Sequence, residues 1–355
     1  MTPPSRPEPA RAASVRRGRG ALGALGSALL ATALLAHGAR PYQARPEPGT
    51  RAPAVTASSC ILVDRSRSTY DYATGTTRPG RVLEVEVLRP AGRRGPLPAI
   101  LFAPGYDVTP AAYSALLDAW ARAGLAVISP TFPDTNPAAV AGARHGDPED
   151  DLVNQPADLA FVARVALSAS RSEDHSCPAL DGLVATGELG LAGQSDGGDS
   201  VAALAYDRAA PYAGLDGGLE VRAVAVLSGA EIGPGPYEAV AGDPALLVVQ
   251  SATDRCNPPQ ESVELYDSIV QRDRWFLELR DAAHLPPYDG ADPAAFSVVA
   301  RVTTRFFLLE LRARAPGAGF LDLGNADPEV ARMTTGPGAP AMRPLEPSDA
   351  ACSAR

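Results

Sequence analysis

Apolar positions along the chain fall into short blocks of two kinds. VLEVEVL (82–88) alternates apolar and acidic residues, the period-two signature of a half-buried strand. PAILFAP (98–104), LAVISP (125–130) and LGLAG (189–193) are short apolar runs bounded by Pro or Gly, and VRAVAVLSG (221–229) and PALLVVQSA (244–252) read as further strands. Strands buried on both faces read this way. RWFLELRD (274–281) reads as another strand. Between these runs lie segments with helical spacing. PAAYSALLDAWARAG (110–124) stops at a glycine, and QPADLAFVARVALSAS (155–170) carries Pro156 at its start. SVAALAYD (200–207), SVELYDSIV (262–270) and DPAAFSVVARVTTRFFLLELRAR (292–314) follow. The alternation predicts an α/β fold with a doubly wound, mostly parallel sheet flanked by helices.

The two ends break this pattern. Residues 40–59 are rich in Pro, Ala and Thr and read as a flexible leader, which places the catalytic domain at 60–314. From 315 to 355 the chain turns to Gly, Pro, Ala and Asp, and the expectation is a loose tail with a tether at Cys352. At the N-terminus Arg11, Arg16, Arg17 and Arg19 precede the apolar run ALGALGSALLATALLA, with small residues up to Ala39 for cleavage. Residues 1–39 therefore read as an export signal, by the Sec or the Tat route. The run is short for a membrane span, so the expected product is secreted, extracellular or periplasmic, with no stable span after cleavage; an uncleaved anchor is the alternative.

Composition narrows the chemistry. A chain of 355 residues with 45% hydrophobic content can bury the core of one large α/β domain. The net charge is -9, and no basic tract lies outside the N-terminus, which argues against nucleic acid as a partner. No lysine occurs at all, so a Ser-Lys dyad, a P-loop lysine and a Schiff base are excluded. Cys60, Cys177, Cys256 and Cys352 suit two disulfides in an exported protein. Three pairings are open, and Cys60–Cys177 with Cys256–Cys352 is favoured; the second pair would tie the tail to the body. The cysteine spacing does not resemble a zinc site. The acidic run GDPEDD (146–151) reads as a solvated loop leading into a helix rather than a calcium site. No metal and no cofactor is expected, and the chain is expected to act as a monomer. Trp120 and Trp275 read as core residues.

One stretch carries candidate chemistry. Gly193-Gln194-Ser195-Asp196-Gly197 is a G-x-S-x-G between an apolar strand and a helix, the context of a nucleophile elbow. A serine nucleophile needs a base, and His284 is the one histidine that follows it in the chain. Asp254, just past another strand, is the group expected to orient that imidazole; Asp281 and Asp199 are the alternatives. The chain order Ser195, Asp254, His284 is that of α/β-hydrolase triads. Developing negative charge would be held by two backbone N–H groups. One belongs to Asp196 at a helix N-terminus, the other to Tyr106 in the loop after an earlier strand. If the Asp196 side chain faces the site, its charge opposes the oxyanion, and Asp196→Asn raises the rate.

LFAPGYDVTPAAYSALLDAWARAGLAVISPTFP, GLAGQSDGG, LLVVQSATDRCNPP and LRDAAHLPPY together resemble the α/β-hydrolase superfamily over about residues 60 to 312. More narrowly they resemble its bacterial branch of dienelactone-hydrolase-like, chlorophyllase-like and cutinase-like (polyester-hydrolysing) esterases. The resemblance implies a serine carboxylesterase that works through an acyl-enzyme on small-molecule esters; the alternatives are a lipase, phospholipid deacylase or polyester hydrolase with the same triad, and a catalytically silent binding protein of the same fold. Pro104-Gly105-Tyr106 is similar to the cutinase-like group, where that Tyr supplies a backbone donor. Departures are visible. Ser195 stands where dienelactone hydrolases have Cys, Gln194 and Asp196 stand where cutinase-like enzymes have His and Met, and VLSGAEIGPGPY lacks their stacking Trp. These departures weigh against polymer substrates and leave ester hydrolysis in place.

Overall fold

The computed structural model describes residues 53–171, 173–232, 237, 242–270, 273–312 and 319–352. The expected export signal (1–39) and residues 40–52 of the expected leader lie outside the described residues. Arg51–Arg355 form one compact unit. Among the described residues, nine strands make one sheet: β1 (Val55–Asp71), β2 (Thr76–Pro90), β3 (Leu97–Ala103), β4 (Ala126–Thr131), β5 (Val184–Gln194), β6 (Val221–Leu227), β7 (Ala245–Ser251), β8 (Arg274–Leu279) and β9 (Ala331–Thr335). The helices are α1 (Ser114–Arg122), α2 (Pro137–Gly142), α3 (Gln155–Ser170), α4 (Asp196–Tyr206), α5 (Pro259–Ser268), α6 (Pro286–Asp289), α7 (Pro293–Glu310), α8 (Gly319–Gly324) and α9 (Asp349–Cys352).

The strand order is β1-β2-β4-β3-β5-β6-β7-β8-β9. The six strands from β4 to β8 are parallel, and β1, β2 and β9 run antiparallel to their neighbours. Alternate residues of each central strand feed opposite cores. In β3, Ala99, Leu101 and Ala103 join one core with α3, α4 and α5, while Ile100 and Phe102 join another with α1, α7 and α8. This explains the short apolar runs: both faces are covered, so no polar alternation survives. From β3 the chain steps to β4 on one side and then to β5 on the other. That reversal opens a crevice at the C-terminal ends of β3 and β5, the place where ligands bind in open α/β sheets.

Two expectations about the ends need correction. The leader was expected to run to residue 59, but β1 starts at Val55 and pairs in register with β2, Val55 opposite Pro90 and Ser59 opposite Glu86. Backbone pairing holds this segment, and its polar side chains stay outside. The tail was expected to be loose, but Ala331–Thr335 supplies β9, which caps the open edge of β8 with Ala331 opposite Leu279. Alternation decides it: Ala331 and Met333 are buried against the second core, and the edge N–H and C=O groups of β8 gain partners. The disulfides are Cys60–Cys177, joining β1 to the segment before β5, and Cys256–Cys352, tying α9 to the loop after β7. Trp120 and Trp275 lie in the core.

A buried ionic cluster fastens the β1–β2 hairpin to the body. Arg81 on β2 grips Asp158 of α3 through Nε and one terminal nitrogen, both at 2.7 Å, and reaches Asp151 at 3.0 and 2.6 Å. Arg67 on β1 adds a second cation against Asp158 and Asp64. Burial works against the Arg81 charge, but the hydrogen bonds to Asp158 and Asp151 outweigh it and hold the guanidinium above its ordinary range. Asp151 thus ends the acidic run 146–151 in an ion pair, and Asp147 caps the short turn that follows it by accepting from Glu149 N–H. Among the described residues no group of His, Cys, Asp or Glu is arranged to hold a metal ion.

Candidate active site

Ser195 sits between β5 and α4 with φ 55° and ψ -130°, a strained conformation for a residue with a side chain. The flanking glycines are dictated by space. A Cβ on Gly193 would lie 2.0 Å from the Gly197 carbonyl oxygen, and one on Gly197 would lie 2.1 Å from that of Ala103. The turn therefore tolerates no side chain at either position, and the G-x-S-x-G spacing follows. Asp107 after β3 and Ser228 after β6 share the positive φ, at 55° and 49°. Three neighbouring strands thus end in strained backbone at the same crevice edge.

Asp254 follows β7 and His284 follows β8. His284 Nδ1 lies 2.8 Å from Asp254 Oδ2, with His284 7% and Asp254 1% exposed. The other oxygen, Oδ1, accepts from Cys256 N–H at 2.9 Å and Asn257 N–H at 3.2 Å. Cys256 is also disulfide-bonded to Cys352, so the loop that carries the carboxylate is braced from both sides. The two alternatives face elsewhere: Asp281 accepts from Thr253, and Asp199 accepts from Ala230 N–H at 2.6 Å.

The expected oxyanion loop follows β3 and adjoins the elbow: a Cβ on Gly105 would lie 3.0 Å from that of Ser195. Gly105 N–H donates to Tyr113 Oη at 3.2 Å, and Asp107 N–H donates to the Thr135 carbonyl at 2.8 Å. Between them Tyr106 N–H has no acceptor among the described residues. Asp196 opens α4, and its N–H stands where a helix presents unpaired donors. Its carboxyl is buried, and Oδ2 has no partner among the described residues. Burial, followed by the charge of Glu149, pushes this carboxyl up to about 7; the nearby His284 and its own backbone N–H pull the other way.

The second ring nitrogen of His284 is partnered by Gln194, the residue before the serine. Gln194 Nε2 lies 3.0 Å from His284 Nε2, and Gln194 Oε1 accepts from Tyr113 Oη at 2.7 Å. Ser195 Oγ makes no hydrogen bond with His284 in this arrangement. Sequence reasoning missed Gln194 and Tyr113 as members of the site. The only available signal was the place of Gln194 inside the elbow motif, and Tyr113 gave none.

No protein-family model matches the chain, and no curated protein matches it in sequence. Among solved structures it is similar to the ferulic acid esterase from Streptomyces cinnamoneus, with a TM-score of 0.56 and 19% identity, over 81% of this chain and 97% of that one. That likeness and the sheet topology establish the α/β-hydrolase fold.

Proposed function

We propose that the protein is a secreted serine hydrolase that cleaves carboxylic esters through an acyl-enzyme. The observation that carries this reading is the 2.8 Å contact between His284 and Asp254 beside a strained serine elbow at the sheet's switch point. In the proposed reaction Ser195 Oγ attacks the acyl carbon as His284 Nε2 takes its proton. Asp254 keeps the Nδ1–H tautomer and stabilises the imidazolium. The oxyanion lies between the N–H groups of Tyr106 and Asp196. His284 then protonates the departing alcohol, and water repeats the sequence on the acyl-enzyme. The structural neighbour named above is a ferulic acid esterase, which agrees with ester chemistry on this fold. Two disulfides fit an oxidising compartment, and the N-terminal signal supports export.

The test is hydrolysis of a p-nitrophenyl ester series, acetate through laurate, by the wild type and Ser195→Ala. Turnover should fall by about 10⁴-fold or more in the variant, with the thermal unfolding midpoint retained. Full activity in a clean preparation of the variant would sink the proposal.

A further inference from the structure

Gln194 makes one continuous chain of hydrogen bonds through the site, and it runs in one direction. Gly105 N–H donates to Tyr113 Oη, and Tyr113 Oη donates in turn to Gln194 Oε1. With Oε1 committed, the amide presents its NH₂ to His284 Nε2 at 3.0 Å, and an amide nitrogen has no lone pair to offer. His284 Nε2 must therefore be the acceptor, which leaves the ring proton on Nδ1, facing Asp254 Oδ2 at 2.8 Å. The same amide nitrogen also reaches the His284 carbonyl oxygen at 3.4 Å. The whole chain is buried: Tyr113, Gln194 and Asp254 are almost fully covered. A buried donor with a single ring acceptor does not leave it without cost.

We infer that Gln194 is a positioning residue that holds the imidazole as a proton acceptor in the free enzyme and must release it before Ser195 can use it. This deepens the esterase reading above and rests on it. The lone pair that Gln194 occupies is the one that has to receive the serine proton. Gln194 therefore selects the useful tautomer and at the same time competes with the nucleophile for it. A substrate that displaces the amide, or draws it toward the acyl group, switches the ring from Gln194 to Ser195. Tyr113 acts one step further back by preventing the amide from turning its oxygen to the ring.

Two substitutions of opposite polarity test this. Gln194→Leu removes the donor and frees Nε2. Gln194→Glu offers Nε2 only acceptors and favours the doubly protonated ring, which cannot take a proton. The rate of Ser195 labelling by a small fluorophosphonate should rise about five-fold in Gln194→Leu, the worth of one ordinary hydrogen bond, and fall in Gln194→Glu. If both variants slow, Gln194 is a packing residue and the proposal is wrong; if both match the wild type, the amide holds nothing. Histidine ¹⁵N NMR reads the contact without any chemistry: the Nε2 resonance should move toward that of a free acceptor nitrogen in Gln194→Leu. An unchanged resonance overturns the proposal. A wild type that resists labelling but shows the shift breaks the nucleophile reading and leaves the Gln194 contact standing. Should Gln194→Leu not fold, Tyr113→Phe removes one hydroxyl only and should accelerate labelling about two-fold, with a smaller shift of the same sign. No change in either readout for Tyr113→Phe would equally count against it.

Discussion

Arg81 and His284 are both buried polar groups, 1% and 7% exposed, but their surroundings differ in kind. Around Arg81 the contacts are redundant. Asp158 takes two bonds from Arg81 and another from Arg67, and Asp151 takes bonds from Arg81 and from Asn154. Around His284 each link is single and directional: one bond from the ring to Asp254, one from Gln194 to the ring. Redundant charge pairing resists small displacements and serves to fix a hairpin. A chain of single bonds can change partners, which proton transfer requires. Among the described residues, a buried carboxyl oxygen without a hydrogen bond occurs in both regions: Asp134 Oδ2, 3.8 Å from an Arg81 terminal nitrogen, and Asp196 Oδ2 in the residue after Ser195. Burial, then Asp151, pushes Asp134 up to about 7. Its folded-state proton is thus held more tightly than in the unfolded chain. Asp134 therefore favours the fold at low pH, and that contribution is lost as pH rises through about 7.

The comparison is broken most sharply at Asp254. Asp254→Asn keeps the shape but offers His284 the wrong hydrogen-bonding polarity, and kcat should fall on the order of 10⁴-fold with the unfolding midpoint little changed. Steady-state kinetics with calorimetry on the same preparation decides it; equal losses of activity and stability would mean that the two clusters do the same job. The opposite result is expected at Arg81. Arg81→Met leaves Asp151 buried without its cation and Asp158 with Arg67 alone, and should cost about 3–5 kcal/mol of stability. Activity per folded molecule, measured by active-site titration, should stay within a factor of two or so of the wild type. A large loss per folded molecule would show that the hairpin bears directly on the site.

The contrast also separates what could be read from the chain. Gln155–Ser170 was legible to the residue, because its proline sits at the helix start and its apolar face is long. The places of Ser195, Asp254 and His284 just past β5, β7 and β8 were legible because each follows a recognisable apolar strand. β1 was not, since VTASSCILVDRSRSTYD is held by pairing with β2 and keeps much of its length exposed. β9 was hidden for a related reason: ARMTT is short and lies in a Gly- and Pro-rich stretch, and only the open edge of β8 gives it a role. The link from Gln194 to His284 spans 90 residues and depends on an amide orientation set by Tyr113, which no local pattern encodes. Arg81 likewise finds Asp151 and Asp158 some 70 residues away.

The smallest expected effect concerns Asp196, where the site borrows a feature of the ionic cluster, a buried carboxyl, without borrowing the cation. The carboxyl belongs to the residue whose N–H is the proposed oxyanion donor, and it is held near neutrality by burial and by Glu149. Below about pH 7 it is protonated, and an uncharged group beside the oxyanion opposes nothing. As pH rises through about 7 it ionises, and its charge then stands against the negative charge that forms on the acyl oxygen. The wild type should therefore lose kcat on the alkaline side, at a pH where a Ser-His pair by itself would still be gaining or level. Asp196→Asn cannot ionise. It should match the wild type at about pH 6 and exceed it several-fold above about pH 8, with the alkaline decline gone. A pH–kcat profile of both proteins, with Ser195→Ala as the blank, is the measurement. The same alkaline limb in both would place the Asp196 charge outside the reach of the oxyanion and return the residue to the kind of role that Asp134 plays beside Arg81.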